Sequence, residues 1–170
     1  MPEHALGSAY YDKSDDTTKE ITWKNSKIRE FLNSNAFISK FEKTFVDCIQ
    51  NTNVKTENYT TTDKFWLLST NEVGYKPSSR KHCYKLDLPH DSAKQFEYFS
   101  KNGDTVKIIE TSYKTSTPTS WLLRTTAKMQ GGGTIVYACA IGPDGKPAMV
   151  YPRNDLIHIA PACTLQAKAK

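Results

Sequence analysis

The sequence predicts an α+β domain, in which two or three short helices pack on a small antiparallel sheet. Helical patterns of apolar residues lie in the first third of the chain, between residues 26 and 49. Short apolar or alternating runs, separated by glycine and proline, occupy the second half. Helices followed by hairpins are typical of the α+β class. A chain of 170 residues has the usual length of one domain and can bury a sizeable core.

Polar caps followed by helical apolar spacing predict the helices. Ser26–Asn33 and Lys40–Ile49 each place apolar side chains at i, i+3 and i+4 after a polar cap, so each predicted helix buries one face. A third helix is predicted to begin near Ser92 and to face Phe96 and Phe99 inward. We expect these helices to back onto the sheet.

The strands are predicted from apolar, aromatic or alternating runs. Asn51–Thr62 is rich in Asn and Thr and is predicted to be a loop, and the predicted buried strand Phe65–Leu68 follows it. Trp121–Arg124 and Thr134–Ile141 are the other predicted strands of the sheet. The sequence Gly-Pro-Asp-Gly at residues 142–145 is a strong signal for a tight turn into one more strand.

The two ends of the chain are predicted to lie outside the main domain. Met1–Glu20 shows no periodicity and is predicted to be an extended arm, followed by one domain over residues 21–166 and a basic tail over residues 167–170. The arm lacks the apolar stretch of a secretory signal, and the longest apolar run, Ile135–Ile141, is too short to cross a bilayer. We therefore expect neither Sec targeting nor insertion into a membrane.

Charge and cysteine spacing argue against several classes of site. The net charge of +5 comes from interspersed residues of both signs, which does not indicate a nucleic-acid surface. The histidines lack the HxxxH and HExxH spacings, and the cysteines form no CxxC pair, so we expect no metal and no cofactor. The even cysteine count permits disulfides, but the apolar surroundings favour buried free thiols. The cysteines are Cys48, Cys83, Cys139 and Cys163.

Several segments, in a fixed order, resemble one known family. They are Ile21–Asn33, Ala36-Phe37, Asp63–Val73, Ser120–Thr125 and Ile159–Leu165. They resemble a domain-of-unknown-function family found in tail-associated proteins of phages of Firmicutes and in clostridial surface proteins. The C-terminal half of that family is similar to C-type-lectin-like and retroelement-diversified variable proteins. The chain departs from the family pattern in having one Trp in Ser120-Trp121-Leu122 and no Arg in Ile159-Ala160-Pro161.

The resemblance implies a C-type-lectin-like fold and a role without catalysis. The implied function is that of a phage virion protein, in the tail or host-attachment apparatus, with a recognition face for a host-surface protein or glycan. A purely structural virion or decoration protein and a bacterial surface adhesin module are the alternatives. The expected location is the virion, assembled in the host cytoplasm, or alternatively the outside of a cell.

The candidate recognition face lies between the Trp121 strand and the closing segment Ile159–Leu165. Tyr provides rigid amphipathic contact area, and Arg and Asn add adaptable hydrogen bonds, so their combination is typical of a binding surface. An ordinary polar strand face is the alternative, and a lectin-type calcium site is not expected because the segment Tyr151–Asp155 has a single acid. The candidate residues are Tyr137, Tyr151, Arg153, Asn154 and His158.

Arg124 is a further candidate for ligand binding. It follows apolar residues on a predicted strand, where it would anchor a carboxylate or a neighbouring chain, or else make a structural salt bridge.

An oligomer is also expected. Members of the family carry a strand ahead of the Thr22-Trp23 segment, so the sheet edge would be completed by the Met1–Glu20 arm or by a partner subunit.

Overall fold

The computed structural model describes residues 6–13, 20–56, 59–75, 86–87, 93–102, 109–110, 117–129, 136–153 and 155–166. Their elements, in chain order, are β1 Ser8–Ala9, α1 Lys27–Leu32, α2 Asn35–Ile38, α3 Lys43–Val46, β2 Ile49–Gln50, β3 Thr52–Thr56, β4 Tyr59–Asp63, β5 Leu86–Asp87, α4 Glu97–Asn102, β6 Ile109–Glu110, β7 Pro118–Thr119, β8 Trp121–Met129, β9 Val136–Ile141, β10 Pro147–Val150, β11 Ile157–His158 and β12 Thr164–Leu165. Short helices and several small sheets confirm the predicted α+β class.

The main sheet has the strand order β1-β11-β8-β9-β10, and β5 pairs with the end of β8. Most neighbours are antiparallel, but β11 runs parallel to β8, with His158 opposite Trp121. The prediction of an antiparallel sheet was therefore wrong in this detail, and the sheet is mixed. The physical reason is the connection between β10 and β11. It carries the chain to the far side of β8, so that β11 lies beside β8 and runs in the same direction, whereas a hairpin joins antiparallel neighbours.

Both faces of β9 and of the first half of β8 are buried, which explains the apolar runs Trp121–Leu123 and Val136–Ile141. On β9, Ala138 and Ala140 pack into one apolar cluster with the first helix. Cys139 and Ile141 alternate with them and pack into a second cluster on the opposite face. The predicted strands Trp121–Arg124 and Thr134–Ile141 are thus present as the centre of the sheet, within the described residues of each.

The predicted first helix is confirmed as α1, but the second is wrong as a single helix. Ser26 caps α1 by accepting the Arg29 N–H. Over Lys40–Ile49 the chain forms only the one-turn helix α3, preceded by the separate one-turn helix α2. This break allows Phe37 and Phe41 to pack on the Phe65 ring, with centroid distances of 5.3 and 5.1 Å.

The region predicted as a loop, Asn51–Thr62, instead contains the hairpin of β3 and β4. Conversely, Phe65–Leu68 is buried but is no strand of the sheet, because its only ladder contact in the described chain is a bridge between Trp66 and Ala162. The sequence did not indicate this hairpin, because several of its inward residues are Thr or Asp and not apolar side chains. Polar residues in those positions resemble a loop in sequence.

The third predicted helix is present as α4. It begins at Glu97, a few residues after the predicted start near Ser92. Phe99 is buried as predicted, whereas Phe96 is 43% exposed, contrary to prediction. Phe96 lies just before the helix, where its N–H donates to the Glu72 carbonyl, and this leaves the side chain at the surface.

In the part of the chain that the structure describes, no helix has the length and apolar character needed to span a bilayer.

Residues 6–12, which belong to the predicted arm, pack into the domain, and Ser8–Ala9 among them form a strand. β1 covers the edge of the sheet by pairing with β11, and Tyr11 is fully buried with its hydroxyl donating to the Arg124 carbonyl. The chain therefore completes this sheet edge itself. An open edge was the reason to expect an oligomer, and that reason no longer applies.

Candidate functional site

Arg124, a sequence-predicted ligand residue, lies in the core. It is 1% exposed. Its Nε donates to Thr56 Oγ1 at 2.9 Å, and Nη1 donates to the Leu67 carbonyl at 3.0 Å and to Glu72 Oε2 at 2.5 Å. Nη2 donates to the Lys55 carbonyl at 3.1 Å and to Glu72 Oε1 at 3.0 Å. All five guanidinium N–H groups thus have acceptors within the chain, which corresponds to the structural alternative for Arg124.

Glu72 has a second role besides the ion pair with Arg124. Its Oε2 accepts the Ser69 N–H at 2.8 Å, while its own N–H donates to Ser69 Oγ at 3.2 Å. This reciprocal pair is a capping box around a single helical turn. The turn ends at Gly74, whose φ of 67° is the left-handed value that glycine adopts without strain. The Glu72 carboxylate therefore joins this turn to strand β8.

A second buried carboxylate, Asp63, joins the first helix to the β3–β4 hairpin. Asp63 Oδ1 accepts Arg29 Nε at 2.8 Å, and Oδ2 accepts Trp23 Nε1 at 3.1 Å and the Thr61 hydroxyl at 2.6 Å. Asp63 is 1% exposed, and a carboxylate so deeply buried requires such partners. These four residues form a second network, separate from that of Arg124.

The two networks explain the recognisable segments of the sequence. Trp23, Arg29, Asp63, Glu72 and Arg124 all belong to the segments that carry the family resemblance, and all of them bind inside the domain. These five residues therefore maintain the fold, and none of them is available as part of a recognition face.

Tyr137 and Tyr151 are the sequence-predicted site residues that the structure brings together. Their ring centroids lie 5.1 Å apart with a tilt of 44°. Tyr137 is half-buried on β9, and Tyr151 follows the edge strand β10 and is 48% exposed. Arg153 is half-buried two residues further on, and Asn154 lies outside the described residues. We call Tyr137 and Tyr151 the tyrosine pair.

His158 lies away from the tyrosine pair. It is opposite Trp121, which is opposite Ile141 at the C-terminal end of β9, whereas Tyr137 is near the N-terminal end of the same strand. Its Nδ1 is 2.7 Å from Thr119 Oγ1, where the tautomer decides which atom donates. The predicted face is thus divided between two ends of the sheet.

Hydrogen bonds hold the backbone of the turn that presents Tyr151. The Tyr151 N–H donates to Asp155 Oδ2 at 2.6 Å, and the Asp155 N–H donates back to the Tyr151 carbonyl at 3.0 Å. The Pro152 carbonyl accepts the Asp12 N–H at 2.9 Å. Sequence reasoning considered Asp155 only as a calcium ligand and missed this role, although Asp bonded to nearby backbone is a common turn signal. We call the described residues of this turn, 151–153 and 155, the recognition turn, after the function predicted for this segment from the sequence.

The described cysteines, Cys48, Cys139 and Cys163, are free thiols, while Cys83 lies outside the described residues. Burial raises the pKa of Cys139 to about 12 and also raises the pKa of Cys163. Both thiols are therefore protonated at neutral pH, the form that is a poor nucleophile. Among the described residues, no group of three His, Cys, Asp or Glu side chains converges to hold a metal.

Cys139 is expected to resist alkylation in the folded protein. With a pKa of about 12, its thiolate fraction at pH 8 is roughly a thousandfold below that of an ordinary thiol. Iodoacetamide labelling at pH 8, followed by peptide mass spectrometry, should therefore modify Cys139 only after denaturation. Rapid labelling of Cys139 in the native protein would contradict this expectation.

A family model for a domain of unknown function, DUF6273, matches residues 6–167. The chain belongs to the DUF6273 family. The DUF6273 match begins within the arm, in agreement with the packing of residues 6–12 into the core. It confirms the predicted membership of a domain-of-unknown-function family over most of the chain. No curated protein and no solved structure matches this DUF6273 chain.

Proposed function

We propose that the chain is a non-enzymatic recognition domain of a phage virion, with a C-type-lectin-like arrangement, that attaches to a host-surface ligand through the tyrosine pair and the recognition turn. The observation that supports this most strongly is the contrast between the two kinds of polar residue. The members of the two buried networks bind internally, whereas Tyr151 is 48% exposed beside a second Tyr. An aromatic ring on a fixed turn, packed beside a second ring on the neighbouring strand, is a suitable anchor for a ligand.

The fixed turn lowers the cost of binding. A flexible loop loses conformational freedom when it binds, at about 0.5–1.5 kcal/mol for each side chain that becomes ordered. Tyr151 already has its backbone held by Asp155 and its ring beside that of Tyr137. More of the contact energy therefore remains for affinity, and neither a metal nor a covalent step is needed.

The virion setting is supported by the resemblance of the family segments to domains in tail-associated phage proteins. Partners in this setting are other virion subunits and the host-surface protein or glycan. Association between subunits would be detected as an oligomer in a mass measurement in solution. The same resemblance includes clostridial surface proteins, so a bacterial adhesin module is the alternative setting for the same recognition turn. The lectin-like arrangement rests on the same resemblance, and the recognition turn follows β10 at the open end of the β9–β10 hairpin.

The double substitution Tyr151→Ala with Arg153→Ala is expected to weaken attachment to purified clostridial cell walls by at least about thirtyfold. One well-placed aromatic or Arg anchor accounts for about 2 kcal/mol, which corresponds to this factor. Binding is measured by sedimentation of the labelled protein with the walls. The double variant should remain folded, because Tyr151 is half exposed and Arg153, despite its buried Nε, is half-buried as a whole.

A matched control is Tyr98→Ala with Lys101→Ala. Tyr98 is 52% exposed on α4, and Lys101 forms an exposed ion pair with Glu97. The control also removes one exposed aromatic ring and one cation, and it should bind like the parent. Equal binding by both variants would place the recognition face elsewhere and favour a structural virion protein. A parent chain that fails to bind the walls would contradict the proposal directly.

A further inference from the structure

We infer that Asp155 is a positioning residue for the recognition turn: its carboxylate fixes the backbone of Tyr151 and thereby sets the ring of Tyr151 against that of Tyr137. The effect on binding rests on the proposed function, but the effect on the two rings does not. Asp155 itself need not touch the ligand.

The geometry provides a reciprocal clamp between two residues. The side chain of Asp155 accepts the Tyr151 N–H at 2.6 Å, and the main chain of Asp155 returns a hydrogen bond to the Tyr151 carbonyl at 3.0 Å. Pro152, which follows Tyr151 in the sequence, is also held, since its carbonyl accepts the Asp12 N–H of the arm at 2.9 Å. Both peptide groups that flank the Tyr151 side chain are therefore constrained.

Core packing does not supply this constraint. Tyr151 is 48% exposed, so about half of its surface makes no contact that would select one orientation. Its described ring contact is the one with Tyr137. Because the direction of a side chain follows from its backbone, loss of the clamp should release the ring even when the rest of the domain stays folded.

The chain contains a natural control at the other end of β10. In the β9–β10 turn, Asp144 Oδ1 accepts the Lys146 N–H at 3.1 Å. This is the same type of bond from a turn Asp to the backbone, but the turn itself, residues 142–146, carries no tyrosine. Asp144 and Asp155 therefore differ in what their turns present, not in the bond that they make.

The experiment compares full-length Asp155→Ala, Asp155→Asn and Asp144→Ala with the parent. The structural readout is the nuclear Overhauser contact between the rings of Tyr137 and Tyr151, with tyrosine labelled and the signals assigned by Tyr137→Phe. We expect Asp155→Ala to lose this contact and to bind clostridial cell walls about tenfold more weakly. Asp144→Ala should keep both the contact and the binding. Asp155→Asn should keep the contact, because an amide oxygen accepts the same N–H.

The outcomes separate the two proposals. Loss of the ring contact in Asp155→Ala with unchanged wall binding would support positioning and contradict the proposed function. A ring contact that persists in Asp155→Ala would overturn the positioning role, whatever the binding shows. Equal loss of the contact in Asp155→Asn or in Asp144→Ala would also overturn it, as would unfolding of Asp155→Ala, because the clamp would then be a general stability element.

Discussion

Replacing Arg124 with alanine is expected to lower the free energy of unfolding by about 3–5 kcal/mol, the usual cost of removing one member of a buried ion pair. The substitution leaves the Glu72 carboxylate without its cation, and the Lys55 and Leu67 carbonyls lose their donor. Urea denaturation followed by circular dichroism measures the change. Arg124→Lys should restore only part of the loss, since an ammonium group has three donors and no planar fork.

Lys128→Ala is the control for this experiment. Lys128 lies on the same strand, β8, but it is exposed and its ion pair with Glu20 is long, at 3.7 Å. Exposed pairs of this kind contribute about 0–1 kcal/mol. Similar unfolding midpoints for Arg124→Ala and Lys128→Ala would show that the Arg124 network does not stabilise the domain.

The second large effect is expected from Asp63→Ala, at about 3 kcal/mol of lost stability. The substitution removes the acceptor of three donors and leaves the buried Trp23 indole N–H unpaired, at a cost of about 1–3 kcal/mol, while the Thr61 hydroxyl keeps only the long bond to the Val54 carbonyl at 3.5 Å. The total loss of stability is limited because the Arg29 side chain is 27% exposed, so water can hydrate its guanidinium once the carboxylate is removed. Trp23 fluorescence should shift in the folded variant, which gives a measurement at the site itself.

Asp47→Ala provides the comparison for Asp63. Asp47 also pairs with a cation, Lys43, at the i, i+4 spacing of a helix, but both side chains are more than half exposed. Its loss is expected to cost about 0.3–0.5 kcal/mol. If Asp63→Ala proves as mild as Asp47→Ala, burial of the carboxylate is not what makes this network important.

Local signals in the sequence predicted the elements that depend on neighbouring residues. The Ser26 cap predicted α1, and the Gly-Pro-Asp-Gly sequence predicted the turn between β9 and β10. Both signals act over a few residues, through one cap bond or one backbone conformation. The α+β class followed from the order of such elements along the chain.

The β3–β4 hairpin was missed because its inward residues depend on distant partners. Thr56 is buried against Arg124, which lies 68 positions along the chain, and Asp63 is buried against Arg29, at 34 positions. Without those partners, polar inward positions would favour a loop. Sequence reasoning had no means to pair them.

The sequence could predict only those contacts of the candidate site that depend on a local turn. Tyr137 and Tyr151 meet because β9 and β10 pair as a hairpin, which places Val150 opposite Ala138. Such a pairing follows from a recognisable turn. His158 separates from them because β11 joins β8 in parallel, and no local pattern indicates that pairing.

The arm that closes the sheet edge also sets an order for folding during synthesis. β1 is translated near the start of the chain, yet its partner β11 and the Arg124 carbonyl that binds Tyr11 are far downstream, the latter by 113 positions. The ribosome must therefore release nearly the whole domain before the first strand can dock. Until then the pairing edge of β1 stays open and the site that holds the Tyr11 ring is incomplete, and contacts over such long separations form slowly. Nascent chains on crowded polysomes are the species in which that open edge has the greatest opportunity to pair wrongly.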